Sequence, residues 1–151
     1  MGFRVVAITD DSGTVVEPQW LARAERVHRM LRAALPADYA GKVARVFAGG
    51  GRMCVAVDGE RVVGVAVYRI GENTSAGVHM YVDDLVTDAA ERSRGVGHVL
   101  MSHLERVARD AGCENLVLDS GTHRHQAHKF YFREGMVITS FNFKKPLGPR
   151  A

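Results

Sequence analysis

Residues 91–98, ERSRGVGH, stand where a β-branched run, VHMYVDDLVTD, hands over to a long amphipathic stretch. Glycine weakens a helix interior, so Gly95 and Gly97 at a helix opening call for another reason. A helix N-terminus presents backbone N–H groups without partners and a partial positive charge. A diphosphate suits such a place, and glycines let it reach the backbone with no Cβ in the way. Arg92 and Arg94 add charge beside it. Two other phosphate motifs fail here. A P-loop needs Lys followed by Ser or Thr after its second glycine, where His98 and Val99 stand. A dinucleotide fingerprint needs a third glycine where Leu100 lies. On spacing alone an ordinary tight turn remains the competing reading.

Other residue types here could also do chemistry. Asp83 and Asp84 interrupt an otherwise apolar strand, and period-two alternation sends them to opposite faces. At most one of them should face a reacting group. His123, His125 and His128 lie close together and invite a metal reading. Their spacing is no clear metal pattern and no nearby cysteine or carboxylate completes a set, so no metal is expected; they suit the mouth of a binding site. Asp119-Ser120-Gly121 lacks the flanking glycines of a nucleophile turn and reads as a strand end.

These residues must be positioned by the elements around them. FRVVAIT (3–9) reads as a first strand. From Pro18 a helix places Trp20, Leu21, Ala24, Val27, Met30, Leu31 and Leu35 on one face, with Pro36 as its stop. A shorter helix runs through YAGKVARVF and breaks at GGGR. RMCVAVD and RVVGVAVYRI form a hairpin with Asp58-Gly59 as the turn pair. VHMYVDDLVT is a further strand, followed by a helix from about Arg94 to Ala111 that Gly112 caps. Its stripe of Val96, Leu100, Leu104, Val107, Ala108 and Ala111 packs on the sheet. NLVLDSG is a strand, RHQAHKFYFREG a short helix, and MVITSFNFKKPL has strand character. The pattern predicts one α/β (α+β) domain over residues 1–151, a mixed but mostly antiparallel sheet flanked by helices.

Composition narrows the partners. An apolar share of 46% and a charged share of 25% are those of an ordinary soluble globular protein. A formal net charge of +3 is too small to argue for nucleic acid. No run is long and apolar enough to predict a membrane span. Cys54 and Cys113 read as buried or semi-buried thiols with no disulfide, which fits a reducing cytoplasm.

The run LVTDAAERSRGVGHVLMSHLERVARDAG resembles the coenzyme A signature of the GNAT superfamily of N-acetyltransferases. Their pattern, Arg/Gln-x-x-Gly-x-Gly/Ala, is met by Arg92, Gly95 and Gly97. AHKFYFREGM resembles their second motif through Ala127, Tyr131 and Gly135, with Met136 in place of the family's Phe. The resemblance implies the GNAT fold and acetyl transfer from acetyl-CoA, the cosubstrate, to an amine. It implies a pyrophosphate held by the turn Arg92, Ser93, Arg94, Gly95, Val96 and Gly97, extended to His98. Leu85, Val86 and Thr87 would pair with the pantetheine arm like an added strand, and splaying from NLVLDSG would open the acceptor slot.

The resemblance also implies Tyr131 as the acid that protonates the leaving thiolate, against the alternative of a core aromatic. Relatives often carry a functional carboxylate earlier on the strand before the turn; stepping by two from that site reaches Asp83, the candidate base. Arg124 stands where many relatives carry a cofactor-contacting Asn, a departure from the pattern. Asp83, Asp84, Asp88 and Asp119 near the strand ends favour a small cationic amine as acceptor, with a protein lysine or N-terminus second. From other classes, a non-catalytic CoA-binding module and a nucleic-acid binder drawn by Lys144, Lys145 and Arg150 remain rivals. Family habit leaves a homodimer open.

Overall fold

A computed structural model describes residues 2–150. They form two compact units, one ending at Leu118 and one beginning at Asp119, and each is described by itself.

The first unit runs β1 (Arg4–Ala7), α1 (Pro18–Leu31), α2 (Tyr39–Ala48), β2 (Arg52–Asp58), β3 (Arg61–Asn73) and β4 (Gly77–Thr87). A single 3-10 turn (Ala89–Glu91), α3 (Val96–Asp110) and β5 (Asn115–Leu118) complete it. The strands lie in chain order in one sheet. Neighbours are antiparallel from β1 to β4, and only β4 and β5 are parallel. This is the mixed, mostly antiparallel sheet expected from the alternation of strands and helices.

Alternation along β3 divides the core. Val65 and Val67 point to the face covered by Trp20, Ala24 and Val27 of α1 and by Val43 and Phe47 of α2. Gly64 lies under α3, where an added Cβ would come within 2.7 Å of Val96 Cγ1 and 2.8 Å of Leu100 Cδ1. Only glycine lets the first turn of that helix seat so closely on the sheet. Each fully buried Val or Leu in these layers contributes about 1.5–3 kcal/mol.

Three expectations shift in the first unit. Helix α1 ends at Leu31, not at Pro36, because Arg32 leaves helical geometry (φ −120°, ψ 71°). Arg29 then donates to the carbonyls of Leu35 and Pro36, which ties down the connection to α2. Met30, placed on the apolar face by periodicity, is 45% exposed, while His28 is buried in the seam. In the hairpin, Asp58 pairs with Arg61, so the turn residues are Gly59 and Glu60, one position later than expected.

In the second unit α4 spans His125–Arg133 and ends at Gly135, whose φ of +86° is left-handed. The strand expected over MVITSFNFKKPL is not formed. Val137, Phe141, Phe143 and Leu147 instead expose 74–93% of their surface. Strand propensity records a fit to a pleated, half-buried surface, and without a ladder partner the alternation of residues 137–143 has nothing to act on. Among the described residues no helix is long and apolar enough to cross a membrane.

Candidate active site

The turn into α3 is anchored from below and open above. Asp88, 1% exposed, accepts from Ala90 N–H at 3.0 Å and from Arg26 at 2.7 Å. Glu91 is also buried and takes Arg61 at 3.3 Å and Arg94. Arg94 is thereby engaged beneath the turn, with Phe3 against its guanidinium. Arg92 is exposed and makes no ion pair among the described residues. Ser93 has φ +66°, a left-handed conformation that costs a non-glycine residue about 1–2 kcal/mol. Gly95 follows at φ +88° with nothing near its missing Cβ, so conformation and not crowding requires glycine there. No side chain caps α3. Its first-turn amides, at Val96 and Gly97, are the kind of donors that receive a phosphate.

The strand leading into this turn is half-paired. Parallel pairing with β5 runs from His79–Asn115 to Val82–Leu118 and stops there. Beyond it, Leu85, Val86 and Thr87 are laddered to β3 on one side, and β5 no longer flanks the other. An edge left without a strand partner can pair with an extended ligand. A bulge falls at the same level: Val67 pairs with Asp84 and Tyr68 with Val82, which leaves Asp83 as the extra residue.

The bulge separates the fates of the two aspartates. Asp83 accepts from Arg69 Nε at 2.9 Å and its side chain is 27% exposed. Asp84 turns towards α1, where Oδ2 meets His28 Nε2 at 2.7 Å and Oδ1 takes Arg32 Nε at 2.8 Å. Burial pushes the Asp84 carboxyl up, but the hydrogen bonds and charges of His28 and Arg32 outweigh it and hold it below the usual range. His28 Nδ1 lies 2.8 Å from the Tyr39 hydroxyl. Burial and nearby carboxylates push the pKa of that phenol up, and the His28 ring bridges it to Asp84. Asp84 and His28 line a cleft of about 600 Å³ that also takes in Arg32, Leu35 and Lys42.

In the second unit Tyr131 is half-buried on α4. Burial raises its phenol above the usual range, opposed by the charge of Arg124 and by a hydrogen bond from it. A guanidinium only donates, so the phenol oxygen is the acceptor in this contact. His128 Nε2 lies 2.8 Å from the carbonyl of Gly121, and the His125 and His128 rings meet edge-on. Asp119 accepts from the Asn142 amide.

A model of the acetyltransferase (GNAT) family matches residues 19–136. The chain belongs to the GNAT acetyltransferase family. An uncharacterised N-acetyltransferase of Bacillus subtilis, YhdJ, is 42% identical over 72 residues, 47% of this chain and 51% of that protein. The aminoalkylphosphonate N-acetyltransferase of Salmonella typhimurium is 36% identical over 66 residues, 44% of this chain and 43% of its own. The matched segments thus span about half the length of these curated relatives or less. Among solved structures, an aminoglycoside N-acetyltransferase in complex with CoA aligns over 98% of both chains with a TM-score of 0.78 and 14% identity. At that identity the likeness shows the GNAT fold alone.

Within this GNAT chain, sequence reasoning missed His28, Arg32, Tyr39 and Lys42. The signal available was weak: a histidine on the apolar face of α1, where a hydrophobe belongs. It also placed Asp84 and Asp88 in an acidic patch open to a cation. Asp88 is buried on Arg26 and Asp84 is held by Arg32 and His28.

Proposed function

We propose that this chain is a single-domain, acetyl-CoA-dependent N-acetyltransferase acting on the primary amine of a small molecule, an amine that arrives as a cationic ammonium. The amine nitrogen attacks the thioester carbonyl directly, the C–S bond breaks, the thiolate takes a proton, and the new amide nitrogen loses one. The observation that carries this reading is the contiguity of two open backbone features. The edge of Leu85, Val86 and Thr87 that β5 leaves unpaired runs through the eight residues of anchored turn, 88–95, into the uncapped start of α3. An extended arm ending in a diphosphate matches that order of features. Arg92, Ser93, Gly95, Val96, Gly97 and His98 are the pyrophosphate-binding residues of this reading, with Arg94 holding the turn from beneath.

Tyr131 is the thiolate's acid. An acid must hold its proton until the transition state, and burial raises the phenol's pKa in that direction. Asp83, two residues before Leu85 on β4, is the candidate base of this reading and would orient the incoming amine and take its proton. The Salmonella relative is named for aminoalkylphosphonates and the structural neighbour for aminoglycosides, both small molecules bearing amines. Two free thiols, Cys54 with its pKa pushed up to about 12 by burial, fit a reducing cytoplasm.

The test is thiol release from acetyl-CoA with a panel of amines, in the native chain and in Tyr131→Phe. Turnover should fall by roughly 10²–10⁴ in the variant with little change in acetyl-CoA affinity. Wild-type turnover in Tyr131→Phe would return the residue to a packing role. Acetyl-CoA binding with no turnover on any amine would make the chain a CoA-binding module.

A further inference from the structure

The cleft at the end of α1 carries more positive charge than its aspartate can absorb. Its apolar walls include Leu35, Val43, Val46 and Val67. Its charged lining is Arg32, Lys42 and Asp84, a formal sum of +1 before any charge on His28 is counted. Asp84 is already satisfied from within the protein: Oδ2 by His28 and Oδ1 by Arg32, which approaches at 2.5 Å through Nη2. Its side chain is only 14% exposed. A second cation entering the cleft would meet a carboxylate whose partners are in place, with Arg32 and Lys42 opposing it.

The donors left over point to the opposite charge. Arg32 uses Nε and Nη2 on Asp84 and on the carbonyl of Asp83, which leaves the Nη1 hydrogens unused. Its side chain is 51% exposed. Lys42 lies on α2, exposed, with no hydrogen bond or ion pair among the described residues. A guanidinium fixed in place by a buried carboxylate, beside a free ammonium, is a fork and a point charge suited to an oxyanion.

We propose that the acceptor is a zwitterion, an amine whose short tether ends in a carboxylate, phosphonate or phosphate held by Arg32 Nη1 and Lys42 Nζ. Asp84 and His28 keep the guanidinium aimed, and Lys42 supplies the discriminating charge. The proposal rests on the acetyl-transfer reading for its amine but not for its anion site.

The experiment compares aminoethylphosphonate, beta-alanine, propylamine and spermidine by thiol release, in the native chain and in Lys42→Gln and Lys42→Glu. Calorimetry of aminoethylphosphonate in the presence of CoA runs in parallel and needs no turnover. kcat/KM for the two anionic amines should exceed that for propylamine and spermidine. Lys42→Glu should cut that preference roughly tenfold to a hundredfold, and Lys42→Gln less. The phosphonate and beta-alanine arms tell which oxyanion fits better. A preference for spermidine, or equal loss on all four amines, would overturn the proposal. If no amine turns over, the acetyl-transfer reading fails separately. Phosphonate binding that weakens in Lys42→Glu would then still establish the anion site, and phosphonate that does not bind would refute it.

Discussion

The opening of α3 and the cleft at the end of α1 both suit anions, yet they are built in opposite ways. The first is made of backbone within eight consecutive residues, Glu91 to His98, with a left-handed serine and glycine setting the donors. The second is made of side chains brought together from positions 28, 32, 42 and 84. A backbone device must be written as a local pattern of glycines, because only local dihedrals can form it. A side-chain device needs only that the fold bring charges together, so it leaves no contiguous trace. The two should therefore fail differently under mutation.

The largest effect is expected at the backbone device. Gly97→Glu puts both bulk and a negative charge at the first turn of α3. Acetyl-CoA affinity should fall by about a hundredfold or more, ~2.7 kcal/mol, with urea stability near that of the native chain. Calorimetry showing unchanged CoA affinity in a folded Gly97→Glu chain would remove the pyrophosphate assignment.

At the side-chain device the expected signature is stability with a pH dependence. The Asp84 pKa is the balance of burial, which raises it, against His28 and Arg32, which lower it further. Because the folded value lies below the unfolded one, the carboxylate stabilises the fold above the ordinary aspartate range. That stabilisation is lost as pH falls through the lowered value. Asp84→Asn should cost about 1–3 kcal/mol in urea unfolding at neutral pH and progressively less in acid. Asp83→Asn, with a half-exposed partner in Arg69, should cost under about 1 kcal/mol. Equal costs for the two would mean that the bulge does not separate them as described.

The same contrast explains what could be read in advance. The strand and helix order of the first unit and the glycine turn follow from periodicity and turn chemistry, which are local. Alternation on β4 was interrupted by the bulge at Asp83, a feature set by pairing with β3 and absent from the strand's own pattern. His28 drew no reading from the sequence, because its partners Tyr39 and Asp84 are 11 and 56 residues away. The closing strand was expected from composition at residues 136–147, but propensity cannot supply a ladder. Arg94 and Arg92, both expected to add charge beside the turn, differ because the buried Glu91 pairs with Arg94.

That last difference gives the smallest effect and the finest test. Arg92 is exposed and without an ion pair among the described residues, so in the proposed site its charge would act on a bound diphosphate through solvent. Arg92→Gln should weaken acetyl-CoA by about threefold to tenfold, and the loss should shrink as salt is raised. Arg94→Gln leaves the buried Glu91 with Arg61 as its remaining cation. Its cost should appear chiefly as lower stability, about 1 kcal/mol, with any CoA effect insensitive to salt because it comes from a loosened turn. Paired calorimetry at low and high salt separates the two variants. If Arg94→Gln showed the salt-dependent loss and Arg92→Gln none, Arg94 would be the phosphate ligand and Glu91 only its resting partner.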